Sequence, residues 1–318
     1  MVDPSAPQDI IALADELTAR IEAAGWRVVD FGSMYDLEPA RPADITEGER
    51  RLYGAVESVP SRLGEPATSE ASVVVIVGRD SVETHQTLSA LAATAPAGTQ
   101  VLVVTGPDAS IEGPADEIIR TAVSFSAGDA LQAALRRTTG SLVVVLEPEV
   151  VPVADIVTPL AGALADPSVA VVAATGLYSG DLHRYHRLES GDATTVASGS
   201  YGFRRADAIE HGPMDGRLQL RGSVAAWLGL LLRDEGPEAQ PRRALVIDLP
   251  LRTREGDTPP PQEHARLARR DGYRIADRFR DHQWLASHEP PDGRLVGDGT
   301  DEGQTHDDGD DGDHANDT

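Results

Sequence analysis

The most constraining feature of the sequence is an unbroken apolar run at residues 142–146, LVVVL, which is followed at once by Glu147, Pro148 and Glu149. A short run rich in β-branched residues is typical of a strand buried on both faces of a parallel sheet. Pro148 cannot continue a central strand, because it lacks an N–H group and its φ is fixed. We therefore expect both glutamates at the carboxyl end of this strand, the edge where open α/β sheets bind ligands.

The acid pair Glu147 and Glu149 has two interpretations. Hard divalent cations take carboxylate oxygens and bridge them to phosphates, so an acid-x-acid pattern here could hold Mg²⁺ or Mn²⁺ beside a nucleotide diphosphate. Alternatively, the acids are a polar strand end that caps the next helix. Both interpretations place the pair at the same edge of the sheet.

Strand-like and helix-like segments alternate through the middle of the chain. Short turns rich in Gly, Pro and Ser separate them, which predicts an α/β fold with a doubly wound, mainly parallel sheet and flanking helices. Residues 116–120 are predicted as a helical turn and residues 153–164 as a helix. The predicted strands are residues 72–77, 99–104, 122–126, 142–146 and 169–174.

The two ends of the chain differ in composition from its middle. Residues 1–70 are predicted to form an N-terminal helical appendage, with helices at 9–24 and 44–56, a strand at 26–31 and a loop at 37–44. The α/β domain is predicted to span residues 71–255. It is followed by a C-terminal amphipathic helical segment at 256–288 and a disordered acidic tail at 289–318.

The Arg-rich helical segment at 256–288 has two interpretations. It could bind a membrane surface, or it could dock on the acidic body of the protein. We expect docking, because the segment lacks the continuous apolar face of an interfacial helix. The N-terminal or C-terminal helices could also bind a protein partner.

Charge and composition exclude several classes of partner. Asp and Glu number 52 against 28 basic residues, all of them Arg, and the formal net charge of −24 argues against nucleic acid as a partner. The absence of Cys excludes disulfides and fits a reducing compartment. No stretch approaches the roughly 18 apolar residues of a transmembrane segment, and the first residues lack the pattern of a signal peptide. The sequence therefore predicts a cytoplasmic protein.

Several segments, in order, resemble the nucleotide-sugar-binding half of family 2 glycosyltransferases, which have a GT-A fold. They are SVVVIVGRD, QVLVVTGPD and AGDALQAALRRTTGSLVVVLEPEV. A later segment, ASGSYGFRRADAIEHGPMDGRL, is similar to the acceptor-side segment of that family. The resemblance covers about residues 71–251. It implies a GT-A-like fold that binds a nucleotide-diphosphate sugar, with an acceptor that the sequence does not identify.

The resemblance also implies roles for single residues. Glu147 and Glu149 stand where the family has the Asp-x-Asp that holds Mg²⁺ or Mn²⁺. Asp108 is the one acid left where the family has a run of acids that recognises the nucleotide base. Arg79 and Asp80 follow the first strand of the domain, so topology places them near a bound nucleotide.

The catalytic base of the family has no direct counterpart. The family carries an acidic pair at the start of a helix, one member of which deprotonates the acceptor hydroxyl, but the matching residues 221–227, RGSVAAW, contain no acid. Asp215 is the nearest candidate base, and the alternative is an ordinary turn aspartate. General-base catalysis contributes about 10²–10⁴-fold in rate. The chain is therefore either a glycosyltransferase that uses Asp215 or a catalytically degenerate homologue that acts as a binding or scaffolding subunit.

The acidic tail is expected to add nothing to the stability of the folded domain. Residues 289–318 contain eleven acids and one arginine, and so polar a segment buries little apolar surface. Deleting the tail should leave the Tm of thermal unfolding, measured by calorimetry, nearly unchanged. A fall of more than about 4 °C would show instead that the tail docks, because such a fall corresponds to about 1 kcal/mol.

Overall fold

The computed structural model describes residues 26–31, 34–39, 61–62, 65–77, 81–106, 111, 113–120, 126–211, 214–253 and 262–287. The helices predicted at 9–24 and 44–56, most of the strand predicted at 122–126, and the acidic tail lie outside these residues. All structural statements below concern the described part of the chain.

Residues 26–31 and 34–39 of the N-terminal region form a β-hairpin. Strands β1 (Trp26–Phe31) and β2 (Met34–Pro39) pair antiparallel, with Val28 opposite Leu37. The predicted strand at 26–31 is confirmed. The loop predicted at 37–44 is wrong for residues 37–39, which belong to β2, because pairing with β1 decides the conformation of a segment whose own pattern is weak.

The main domain contains both strands and helices, and six strands follow one another between its third and fourth helices. Its helices are α1 (Ser81–Thr94), α2 (Ala127–Leu135), α3 (Val157–Leu164), α4 (Arg205–Glu210), α5 (Arg221–Arg233) and α6 (Gln262–Arg278), followed by a 3₁₀ turn at Gln283–Leu285. Its strands are β3 (Ser69–Val77), β4 (Gln100–Thr105), β5 (Glu117–Arg120), β6 (Gly140–Leu146), β7 (Val150–Pro152), β8 (Val169–Ala173), β9 (Gly176–Tyr178), β10 (His186–Leu188), β11 (Gly191–Ala193), β12 (Thr195–Val196), β13 (Ser200–Arg204), β14 (Arg243–Val246) and β15 (Leu251–Thr253).

The central sheet has eight strands in the order β11-β14-β8-β13-β6-β3-β4-β5. Strands β5, β4, β3 and β6 are parallel neighbours, and β8 is parallel to β14. Strand β13 runs antiparallel between β6 and β8, and β11 lies antiparallel on the outer edge of β14. The predicted class, an α/β fold with a largely parallel sheet and flanking helices, is confirmed.

Strand β6 is buried on both faces, as its apolar run predicts. Val143 and Val145 belong to a hydrophobic cluster that also contains residues of α2, α5 and α6. Leu142, Val144 and Leu146 belong to a second cluster on the other face, with residues of α1 and α3. Helices therefore cover both faces of the sheet at its centre, which leaves the strand ends as the places where polar side chains can collect.

Two local predictions are wrong. The helical turn predicted at 116–120 is strand β5, in which the buried Ile119 lies opposite Val104 of β4. The helix predicted at 153–164 begins only at Val157, because Asp155 accepts a hydrogen bond from the Val157 N–H (2.8 Å) and caps the helix there. Strand pairing determines the first of these elements and a helix cap determines the start of the second. Neither contact leaves a periodic pattern of apolar residues in the sequence.

The C-terminal helix α6 docks on the domain. Ile275 and Phe279 are buried in the main hydrophobic cluster, and the Phe279 ring lies edge-on to Trp227 of α5, with centroids 5.3 Å apart. The segment after the helix is held by Asp234, which accepts hydrogen bonds from Trp284 Nε1 (3.0 Å) and pairs with His282 (2.7 Å). The docking interpretation is therefore confirmed. In the described part of the chain, no helix combines the length and the apolar character needed to cross a membrane.

Truncating Phe279, which directly follows α6, should destabilise the domain much more than truncating Tyr273, an exposed residue of α6. Phe279 is 0% exposed and Tyr273 is 50% exposed. We expect Phe279→Ala to lower the free energy of unfolding by about 3–5 kcal/mol, since it leaves a cavity beside Trp227. The matched control Tyr273→Ala should change it by less than about 0.5 kcal/mol in urea unfolding. Equal effects of the two substitutions would mean that α6 is not docked.

Candidate functional site

The acid pair follows the strand at which the order of the sheet reverses. From β3 the chain proceeds outward to β4 and β5, and it then returns to the other side of β3 to form β6. The crevice outside the carboxyl ends of two such strands is the usual ligand site of an open α/β sheet. Leu146, the last residue of β6, lies opposite Val75 near the end of β3, so Glu147 leaves the sheet beside this crevice.

The turn that carries the two acids is held from both sides. The Val150 N–H donates to the Glu147 carbonyl (3.0 Å), which closes a β-turn with Pro148 at its second position, where proline is favoured. The Glu147 N–H donates to the Gly199 carbonyl (2.9 Å), just before β13. Thr87, a buried residue of α1, donates its hydroxyl to the Pro148 carbonyl (2.6 Å). The backbone that positions the acids is therefore fixed by three elements.

Arg221, the first residue of α5, pairs with both acids. Its Nη2 contacts Glu149 Oε1, and its Nε lies 3.6 Å from Glu147 Oε1. The side chain of Glu147 is 16% exposed, whereas those of Glu149 and Arg221 are both 32% exposed. Burial raises the pKa of Glu147 despite the opposing effect of Arg221, and Glu149 adds to the rise. The second oxygen of Glu149, Oε2, is buried without a hydrogen-bond partner among the described residues.

A small cavity adjoins the acid pair. Its volume is about 10 Å³, which is room for about one water molecule. Sites for drug-sized ligands enclose several hundred Å³, so a nucleotide at this edge would have to lie over the exposed side of Glu149 and Arg221. The cavity is lined by Ile76, Ala127, Val145, Leu146, Glu147, Tyr201, Arg221 and Val224.

The carboxylates fit a divalent cation by their chemistry, but their present partner is an arginine. Glu147 and Glu149 supply the hard oxygen ligands that Mg²⁺ and Mn²⁺ take. Within the described ranges, no group of three or more metal-ligating side chains surrounds any point. A metal at this turn would therefore have two protein carboxylates, and it would share them with the Arg221 guanidinium.

The two residues before α5, a helix that contains no acid of its own, are held by an acid from α6. Asp271 Oδ2 accepts hydrogen bonds from the N–H groups of Gln219 and Leu220, both at 2.9 Å. Asp271 is fully buried, and this burial raises its pKa, although the two backbone hydrogen bonds act in the opposite direction. The C-terminal helix thus anchors the helix end from which Arg221 projects.

Asp215 is held in a turn by Arg217. Its carboxylate accepts from the Arg217 N–H and Nε, both at 2.9 Å, and from Nη2 at 3.0 Å. Burial raises the pKa of Asp215, but these contacts with Arg217 outweigh that effect and bring the pKa below its usual value. A carboxylate with a lowered pKa is a weaker base. The role of Asp215 as the general base stays a prediction.

The Asp215 turn packs on the N-terminal end of α2, next to the cavity. A Cβ on Gly128 would lie 2.2 Å from the Asp215 carbonyl oxygen, so only glycine permits this approach. The Gly128 N–H donates to the Leu218 carbonyl (3.0 Å), and the Ser126 hydroxyl contacts the Gly216 carbonyl. Ala127, at the start of α2, lines the cavity beside Glu147. The N-terminal end of α2 therefore borders both the acid pair and the Asp215 turn.

Asp129 on α2 is an acid near this site that the sequence analysis did not single out. Burial raises its pKa to about 6, against a hydrogen bond from Ser126 that lowers it and with a smaller contribution from the charge of Asp215. The spacing of Ser126 and Asp129 is that of a helix-capping pattern and could have identified it. For Asp271 the sequence offered a weaker signal, which is its occurrence as an acid within an Arg-rich helix. Arg221 had none beyond its place at the start of a helix.

The remaining predicted site residues are not covered by the structure. Arg79, Asp80 and Asp108 lie outside the described residues. Strands β3 and β4 end at Val77 and Thr105, on the same edge of the sheet as the end of β6. Nucleotide binding by the three residues stays a prediction.

The raised pKa of Asp129 should make the stability of the protein depend on pH. The unfolded carboxyl loses its proton near pH 4 and the folded one near pH 6, so stability should fall as the pH rises through this window. Asp129→Asn should therefore raise the free energy of unfolding at pH 7.5 by about 1–2 kcal/mol, and this gain should vanish at pH 4. Urea unfolding at both pH values measures it. Glu238→Gln, at an exposed site, is the control that should show no gain.

Comparison with known proteins gives structural matches only. No family model matches the chain, and no curated protein matches it by sequence. Among solved structures, GalNAc-T7 with UDP, GalNAc and Mn²⁺ matches at 12% identity over 56% of this chain and 42% of its own, with a TM-score of 0.46. The mannosyltransferase PcManGT from Pyrobaculum calidifontis, with GDP-Man and Mn²⁺, matches at 16% identity over 74% and 66%, with a TM-score of 0.43.

A third match is glucosyl-3-phosphoglycerate synthase from Mycobacterium tuberculosis with Mn²⁺, UDP and glucosyl-3-phosphoglycerate. It has 14% identity over 76% of this chain and 86% of its own, with a TM-score of 0.43. The chain thus spans less than two thirds of the first two proteins. All three are glycosyltransferases, the class that the sequence resembles.

Proposed function

We propose that this chain is a glycosyltransferase-like protein that binds a nucleotide-diphosphate sugar at the carboxyl edge of its sheet and transfers the sugar to a hydroxyl acceptor. The observation that supports this most is the position of the acidic turn. Glu147 and Glu149 leave β6 beside the point where the strand order reverses, which is the ligand site of open α/β sheets. The resemblance to family 2 glycosyltransferases expects the donor at the same place.

In this proposal each candidate residue has one task. Glu147 and Glu149 hold Mg²⁺ or Mn²⁺, which when bound neutralises the diphosphate of the donor. Arg79, Asp80 and Asp108 contact the nucleotide, and Asp215 accepts the proton of the acceptor hydroxyl. Three features of the described chain support this arrangement: the fixed backbone of the acidic turn, the exposed side of Glu149, and the packing of the Asp215 turn on α2.

A second candidate function is a binding or scaffolding subunit without transferase activity. Two contacts favour it. Arg221 pairs with both acids of the turn, and Arg217 engages both oxygens of the proposed base Asp215. In this case the fold would keep the donor cleft as a binding surface only. The two candidates differ in whether sugar is transferred once the donor is bound.

Calorimetric titration with UDP, GDP and dTDP, with and without Mn²⁺, separates the candidates. We expect weak, millimolar binding of one nucleotide that depends on Mn²⁺ and is lost in both Glu147→Ala and Glu149→Ala. The exposed Glu238→Ala is the matched control and should bind as the unmodified chain does. If no nucleotide binds at millimolar concentration, the donor proposal is wrong and a scaffold without a donor site remains.

Turnover is then measured with radiolabelled sugar nucleotides of the base that binds. Asp215→Asn should reduce the transfer rate by about 10²-fold or more, because general-base catalysis contributes at least this much. Donor affinity should stay unchanged, since the substitution removes a group that acts on the acceptor. Donor binding without any transfer would favour the second candidate. Transfer that survives the substitution would exclude Asp215 as the base.

A further inference from the structure

We propose that Arg221 is an internal counter-cation that competes with a divalent metal for Glu147 and Glu149, and so determines how tightly this site binds metal. This inference rests on the proposed function, in which the same two acids are the metal ligands of the donor site. The proposed function itself gives Arg221 no task of its own. The ligand class is a hard divalent cation, and the arginine is the residue that sets its affinity.

The contacts place the guanidinium where a cation shared by the two acids has to be. Arg221 reaches Glu149 Oε1 with Nη2 and approaches Glu147 Oε1 with Nε (3.6 Å). A divalent ion that uses the same oxygens would lie within a few ångström of a positive charge. Glu147 is largely buried, so solvent screens this repulsion less than it does at an exposed pair. The metal must therefore displace Arg221 or bind against its charge.

Both sides of this contact are anchored, so Arg221 is not a freely moving surface arginine. The acids stand on a turn that Thr87 and the Gly199 carbonyl hold in place. Arg221 begins α5, and Asp271 from α6 fixes the backbone of the two residues before it. The guanidinium is thus presented to the acids by the fold.

The charge balance leaves this site open to a cation all the same. Two carboxylates face one guanidinium, and Glu149 Oε2 is buried with no hydrogen-bond partner among the described residues. Buried carboxylate oxygens in proteins usually accept a hydrogen bond, so one without a partner requires an explanation. A divalent ion that Glu149 holds with both of its oxygens would give Oε2 a partner. Arg221 then weakens metal binding without abolishing it.

The test uses Mn²⁺ alone, without nucleotide, on the full chain. Binding is followed by the electron paramagnetic resonance signal of free Mn²⁺. Arg221→Gln should bind Mn²⁺ at the site at least tenfold more tightly than the unmodified chain. Arg243→Gln is the matched control, since Arg243 also pairs with two acids, Asp192 at 2.8 Å and Asp166 at 3.9 Å, and its side chain is 44% exposed. It should leave Mn²⁺ affinity unchanged.

The acidic tail will also bind Mn²⁺ weakly, and a double variant removes this ambiguity. The tail is the same in all variants, so a gain that belongs to the site must disappear in the double variant Arg221→Gln, Glu149→Gln. A gain that persists in the double variant, or an Arg221→Gln affinity within twofold of the unmodified chain, would overturn the proposal. Thermal unfolding gives a second readout: 1 mM Mn²⁺ should raise the Tm of Arg221→Gln more than that of the unmodified chain.

If Arg221→Gln does not fold, Arg221→Lys carries the test. Lysine keeps the charge but lacks the planar fork that reaches two carboxylates, so Mn²⁺ should bind at least threefold more tightly than to the unmodified chain. Equal affinity would overturn the proposal. Nucleotide plays no part in these measurements. If Arg221→Gln binds Mn²⁺ more tightly but the calorimetric titrations show no nucleotide binding, the donor site is refuted and the role of Arg221 stands.

Discussion

The pairing of β3 with β6 at the centre of the sheet is the constraint on which the rest of the structure depends. Gly140, the first residue of β6, lies so close to β3 that a Cβ would be 2.3 Å from the Ala71 carbonyl carbon. From there β3 and β6 run side by side in the same direction as far as Val75 and Leu146. Their side chains enter both hydrophobic clusters. The polar residues that directly follow β6 therefore leave the sheet at its carboxyl edge, and these residues form the acidic turn.

Much of this fold could be predicted because its central strands carry continuous apolar runs. Such runs identify β3, β4, β6 and β8, because a strand that is buried on both faces does not need alternating polar residues. Strand β5 does not, because only Ile119 of its four residues is buried. The second strand of the N-terminal hairpin was missed because its pairing with β1, and not its own composition, defines it.

The acid pair could be predicted from the sequence, but the cation that faces it could not. Glu147 and Glu149 are identified by a strand that ends at a proline, which is a local signal. Arg221 meets Glu149 from 72 residues away, and Asp271 binds the N–H of Leu220, just before α5, from 51 residues away. Charge partners across such separations follow no period, so only the folded chain shows them. The sequence shows that α5 begins with Arg221 and no acid, and the structure adds that this arginine pairs with Glu147 and Glu149.

The pairing of Arg221 with two acids at the strand edge requires a physical explanation. A partly buried ion cluster is weak evidence for stability, because apolar residues of similar volume often serve as well. Folding alone therefore does not account for two acids and one arginine at the strand edge. Two carboxylates face one guanidinium there, burial raises the pKa of Glu147, and Oε2 of Glu149 has no hydrogen-bond partner among the described residues. This excess of negative charge is the physical basis of the proposed competition between Arg221 and a divalent cation, and it does not depend on sugar transfer.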